Sequence, residues 1–194
     1  MSATVTGILL AAGRGRRFDP RGLRNKLLQP LAGEPVVVHS ARHLLAALPR
    51  VVAVVREDDD ATAGQLSALG CAVTRCADAD NGMAASLVHG LRHAEAADAE
   101  AVGWVLALGD MPRVLPATIA ALARAVEQGA DIAVPVHRGQ RGNPVAFGRR
   151  HLPQLLALTG DQGARGIVKN CIVNEVAVDD PGILLDVDTP SDLQ

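Results

Sequence analysis

With 194 residues, 48% of them hydrophobic but only 2% aromatic, the chain must build a substantial core from aliphatic side chains, and one α/β domain spanning 1–194 suits that composition. A net charge of −2 supplies no field for polyanions, and one Trp and two Phe without Tyr leave no stacking surface, so no nucleic-acid partner is expected. No apolar run reaches the roughly 18 residues of a membrane span, Met1–Thr6 lacks a secretory leader pattern, and Cys71, Cys76 and Cys171 lack zinc-like spacing; a cytoplasmic protein without a membrane partner is expected.

The chain is organised around Thr4 to Phe18. Val5, Ile8, Leu9 and Leu10 read as a buried strand that ends in Ala11, Ala12 and Gly13. Gly15, Arg16 and Arg17 follow. Small residues let a backbone approach an anion closely, and guanidinium groups suit phosphate oxygens. The stretch therefore reads either as a phosphate-cradling loop or as an ordinary turn with solvated arginines. There is no GxxxxGK[ST], and Phe18 stands where GxGxxG needs its third glycine, so a P-loop NTPase and a dinucleotide-binding dehydrogenase are disfavoured.

Residues 19–25 are polar and turn-forming, and Lys26-Leu-Leu follows. A helix is predicted over 36–48, a β-branched strand over 51–55, and a solvated charge run over 56–60. A helix over 61–69, closed by Gly70, precedes a short strand over 71–76. Asn81-Gly82 is a turn into a helix that begins near Met83, whose free N–H groups carry a positive dipole end. The stretch 94–101 reads as helical surface or polar loop. Trp104 to Leu108 is a buried strand, and Gly109 then places Asp110 at its carboxyl end, where ligand crevices lie in open α/β sheets. A helix over 117–128, a strand over 131–136, short helices over 152–158 and after Arg165, and a closing Asp-rich segment over 183–193 complete the chain. The result is a three-layer αβα domain with a mostly parallel, Rossmann-like sheet.

Leu10-Ala-Ala-Gly-Arg-Gly-Arg-Arg-Phe18 resembles the signature loop of the MobA-like nucleotidyltransferases, most closely the molybdenum cofactor cytidylyltransferases. Four further segments resemble that family's motifs in the same order: Gly82-Met-Ala-Ala-Ser-Leu87, Leu108-Gly-Asp-Met-Pro112, Gly139-Gln-Arg-Gly-Asn-Pro-Val145 and Gly160-Asp-Gln-Gly-Ala-Arg165. Asp186-Val-Asp-Thr-Pro190 resembles the family's C-terminal motif. The resemblance implies a nucleotidyltransferase-type sheet and cytidylyl transfer from an NTP to a phosphorylated pterin, with pyrophosphate released. It implies that Leu10, Ala11, Ala12, Gly13, Arg14 and Gly15 cradle the nucleotide beside Gly82, Met83 and Ser86. Lys26, Arg17 and Asp110 are the implied catalytic residues, and Asp110 and Asp188 the implied ligands of Mg²⁺ or Mn²⁺. Arg141, Asn143 and Arg165 fall on the acceptor side, and a molybdoenzyme or its chaperone is the implied protein partner. Leu-Ala-Ala-Gly, rather than Leu-Ala-Gly-Gly, leans toward CTP over GTP.

The chain departs from the family pattern at Asp19, which replaces a glycine, and at Lys26, which comes several residues late. Asp19 is expected to face solvent or to pair with Arg16, Arg21 or Arg24, while 19–25 bulges outward and Lys26 points into the crevice. Asp110 and Asp188 are both expected at strand ends on one sheet edge. Little sequence follows Asp192, so little or no final helix is expected. The competing readings are a nucleotidyltransferase for a sugar phosphate or phospholactate, an oxidoreductase on the same scaffold, and a non-catalytic nucleotide-binding module.

Overall fold

The computed structural model describes residues 4–193. In chain order the elements are β1 (Val5–Ala11), a 3₁₀ turn (Lys26–Leu28), the small hairpin β2 (Pro30–Leu31) and β3 (Glu34–Pro35), and α1 (Val36–Ala47). Then come β4 (Val51–Arg56), α2 (Asp60–Ala68), β5 (Ala72–Cys76), α3 (Met83–Ala97), β6 (Gly103–Leu108) and α4 (Pro116–Glu127). The last part holds β7 (Ile132–His137), β8 (Gln140–Arg141), β9 (Val145–Gly148), α5 (Leu152–Leu156), α6 (Arg165–Asn170) and β10 (Asn174–Ala177). Among the described residues no helix is long and apolar enough to cross a membrane.

The main sheet runs β10-β7-β9-β6-β1-β4-β5, with β8 folded back on β7. Neighbours are parallel except around β9, which is antiparallel to both β6 and β7. From β1 the chain steps outward to β4 and β5, then crosses back to β6 on the other side of β1. The order therefore reverses between β1 and β6, and a crevice opens at the carboxyl ends of those strands. Leu10 pairs with Leu108 in register, and the Gly109 N–H donates to the Leu10 carbonyl at 2.9 Å, so the loops after the two strands emerge side by side.

Strand alternation feeds two cores. Val5, Leu9, Ala53, Val55, Val105 and Ala107 pack under α1, α2 and α4. Ile8, Val52, Val54, Trp104 and Leu106 pack on the other face under α3 and α5. Coverage on both faces explains why the central strands read as unbroken apolar runs.

Three details differ from the sequence reading. Ala94 and Ala101, the two ends of the stretch expected as helical surface or polar loop, are buried, Ala94 on the inner side of α3 and Ala101 just before β6. The helix expected over 152–158 stops at Leu156. Asp188 lies in an irregular segment after a 3₁₀ turn at Pro181–Leu184 and does not end a strand. The chain closes on a further 3₁₀ turn, Pro190–Leu193.

Candidate active site

A cleft of about 460 Å³ sits over the carboxyl ends of β1 and β6. Leu10, Ala12, Gly13, Arg14 and Gly15 line it from the first loop, Gly82, Met83 and Ser86 from the start of α3, and Arg17, Lys26, Asp110 and Asp188 from the far wall. Ala11 is absent from this wall. As the last residue of β1 it turns its methyl into the aliphatic core, 2% exposed beside Leu27.

Lys26 is the centre of the cleft despite its late position. Asn25 accepts from the Leu27 N–H at 3.0 Å, which starts the 3₁₀ turn and fixes the lysine's direction. The Lys26 ammonium donates to Asp110 at 2.5 Å and lies 3.6 Å from Asp188. Its side chain is 10% exposed. Gly15 makes room for it: a Cβ there would stand 3.2 Å from Lys26 Cγ, and φ at Gly15 is +60°, a conformation that favours glycine.

The two carboxylates come from sequence positions far apart, and backbone hydrogen bonds bring them together. The Val187 N–H donates to the Asp110 carbonyl at 2.8 Å. Asp192 accepts from the Asp188 and Thr189 N–H groups at 3.0 and 2.6 Å, curling the chain so that Asp188 faces the cleft. Ser40 of α1 steadies the other side by donating to the Gly109 carbonyl at 3.0 Å. Arg17 then pairs with Asp188, so each carboxylate meets a cation.

None of residues 19–25 lines the cleft, as expected of an outward bulge, but Asp19 is not solvent-facing. It is 4% exposed and accepts from the Arg21, Leu23 and Arg24 N–H groups at 3.1, 3.0 and 2.9 Å. Arg24 alone of the three expected partners lies beside it, at 3.8 Å. Burial pushes the Asp19 carboxyl up, yet the three N–H donors outweigh burial and hold it below the usual aspartate range. Phe18 buries its ring against Val36 and Val187, and the Arg24 guanidinium lies over that ring at 5.5 Å. The loop thus organises itself and also braces the segment that carries Asp188.

Two acidic residues in the cleft were not legible as site residues. Asp80, on the turn before α3, accepts from Arg14 at 2.7 Å and from Arg56 at 2.8 Å, and the two guanidinium groups hold its carboxyl far below the usual range. Arg14 is thereby tied to the end of β4. Asp161 enters the cleft because the loop over 160–163 packs on Gly82, whose missing side chain would otherwise meet the Gly160 carbonyl at 2.7 Å. Asp161 falls inside the Gly160-Asp-Gln-Gly-Ala-Arg165 motif, but its place in the cleft, like that of Asp80, depends on contacts between distant segments.

The residues expected on the acceptor side line a second cavity of about 440 Å³. Arg141, Asn143 and Arg165 stand with Lys169 around an apolar floor that includes Leu87, Leu106 and Phe147. Arg141 pairs with Glu175 at 2.7 Å. No carboxylate lines this cavity among the described residues, whereas Leu10, Met83 and Leu108 line both it and the cleft.

Residues 7–176 match the MobA-like NTP transferase domain. The purine catabolism protein PucB of Bacillus subtilis (strain 168) is 31% identical over 202 aligned positions, which cover 98% of this chain and 95% of PucB. The crystal structure of Rv0371c from Mycobacterium tuberculosis H37Rv superposes with a TM-score of 0.85 at 30% identity, over 99% of this chain and 96% of that one. A manganese complex of Rv0371c superposes at 0.78 with 28% identity, over 98% and 96%.

Proposed function

The chain belongs to the MobA-like NTP transferase family, and on that premise we propose that it moves the cytidylyl group of CTP onto the phosphate of a pterin cofactor with the help of Mg²⁺. The observation that carries this reading is the Lys26 ammonium held between Asp110 and Asp188 on the wall of a glycine-lined cleft. Two cations and two carboxylates in contact form a balanced set. A metal–triphosphate brings the complementary set, so each group exchanges its partner without leaving a charge unpaired.

The donor set suits a hard divalent ion. Asp110 and Asp188 would hold it, and no third His, Cys, Asp or Glu joins them among the described residues, so phosphate oxygens and water would complete the shell. When bound, Mg²⁺, or the Mn²⁺ seen with Rv0371c, neutralises charge at the α-phosphate. The protein's own part is positioning. Gly13 and Gly15 expose N–H groups to the phosphates, while Lys26 and Arg17 move from carboxylate to phosphate oxygens as charge develops. An oxygen of the acceptor phosphate attacks the α-phosphorus, the bond to the β-phosphate oxygen breaks, and pyrophosphate leaves with the electron pair. No covalent enzyme intermediate is needed.

The second cavity supports a phosphorylated acceptor, since its polar groups are cations and amides above an apolar floor. Ala12, in place of a second glycine, is the feature that favours CTP. The product would pass to a cytoplasmic molybdoenzyme or its chaperone. The test is pyrophosphate release with each of the four NTPs, Mg²⁺ and molybdopterin. CTP should be the best donor. Release with a sugar phosphate but not with molybdopterin would replace the acceptor, and no release with any pair would overturn the proposal.

A further inference from the structure

A third cavity, of about 450 Å³, lies on the outer side of the phosphate loop and belongs to neither the cleft nor the acceptor cavity. Five arginines line it: Arg14, Arg16, Arg21, Arg24 and Arg56. Its two carboxylates are already engaged. Asp58 pairs with Arg56 at 3.1 Å, and Asp59 caps α2 through the Thr62 N–H at 2.9 Å while accepting from Asn25 at 2.8 Å. Arg14 pairs with Asp80, and Arg24 is occupied by Phe18 and Asp19. Arg16 and Arg21 have no carboxylate within ion-pair distance among the described residues. Two uncommitted guanidinium groups in a concave, largely polar site are a receptor for a compact polyanion.

The position of this cavity relates it to the reaction. It shares Gly13, Arg14 and Arg16 with the cleft. The acceptor cavity instead meets the cleft at Leu10, Met83 and Leu108, and the two side cavities have no lining residue in common. In-line displacement requires the leaving group to depart opposite the attacking oxygen. A phosphate attacking from the acceptor cavity leaves the arginine cavity, which meets the cleft through different residues, open to the departing pyrophosphate. Arg21 sits on the segment 19–25 that departs from the family pattern, and the buried Asp19 carboxylate, with its three backbone bonds, holds that segment in shape.

We propose that the arginine cavity is a pyrophosphate exit site, with Arg16 and Arg21 as its anion-binding residues. The inference rests on the nucleotidyl-transfer reading above. It makes the loop two-faced: its inner side holds the triphosphate, and its outer side receives the product.

The experiment is calorimetric titration of the full-length protein with magnesium pyrophosphate and, separately, with magnesium CTP, for wild type, Arg21→Ala and Arg21→Lys. Arg21→Ala should weaken pyrophosphate on the order of tenfold, the loss of one charge-assisted contact, and leave CTP affinity within about twofold. Arg21→Lys should restore most of the pyrophosphate affinity. Unchanged pyrophosphate affinity in Arg21→Ala would overturn the exit site, and so would an equal loss of CTP affinity, which would put Arg21 in the nucleotide cleft or in folding. Pyrophosphate inhibition of turnover separates the two readings. Turnover whose inhibition constant for pyrophosphate ignores Arg21→Ala removes the exit site alone. Pyrophosphate binding that depends on Arg21 in a protein with no turnover removes the nucleotidyl-transfer reading.

Discussion

The Val187 N–H donates to the Asp110 carbonyl at 2.8 Å, and this one backbone bond joins the two carboxylates of the cleft. Asp110 follows a rigid central strand, whereas Asp188 sits in an irregular tail. Val187 also buries its side chain between Phe18 and Val36, so the tail is held by packing as well as by hydrogen bonding. Replacing Asp110 or Asp188 with Asn should lower kcat on the order of a hundredfold or more while leaving the circular dichroism spectrum and Tm close to wild type, because each change removes charge from the proposed ion site and not an apolar core contact. Excess Mn²⁺ or Mg²⁺ should recover part of the loss if the defect is in metal affinity.

Gly13 and Gly15 should fail differently when given a side chain. A Cβ at Gly13 meets nothing within 4 Å, so Gly13→Val should leave Tm unchanged and raise the KM for the NTP by blocking backbone approach. At Gly15, φ of +60° and the 3.2 Å approach to Lys26 Cγ make Gly15→Ala destabilising by about 1 kcal/mol and also displace the lysine. Thermal melts beside initial-rate kinetics separate the two effects.

Asp19 gives a pH signature. Its folded-state carboxyl is held below the ordinary value of 3.8, so its contribution to stability is present above that value and is lost as pH falls through the depressed folded value. Asp19→Asn should therefore lower the denaturation midpoint at pH 7, and the gap from wild type should close as pH drops below the ordinary aspartate range. A gap that stays constant down to pH 2 would show that the side chain acts through shape alone.

Much of the fold was legible because the central strands are covered on both faces. Val51 to Val55 and Trp104 to Leu108 had to be apolar throughout, and that is a local signal. The antiparallel β9 and the largely exposed edge strand β10 were not, since pairing rather than sequence pattern defines such short segments. The cleft residues around Gly13, Lys26 and Asp110 were visible as motifs. Asp188 was found, but it was expected at a strand end, and the segment before it is instead a 3₁₀ turn, Pro181–Leu184, capped by Asp180. Asp19 does lie beside Arg24, one of its expected partners, but the sequence did not show that it would be buried or that three backbone N–H groups would be its nearer partners.

Lys26, late in sequence but held between Asp110 and Asp188, is proposed to serve the transferring phosphate. Single-turnover pyrophosphate release with Mg²⁺, CTP and molybdopterin tests it most directly, comparing Lys26→Ala with Arg24→Ala, a change in the same loop on its outer side. Lys26→Ala should slow release on the order of a hundredfold or more, while Arg24→Ala stays within about threefold of wild type. Equal and mild effects from both substitutions would contradict the account and make Lys26 a structural counter-ion of the two aspartates.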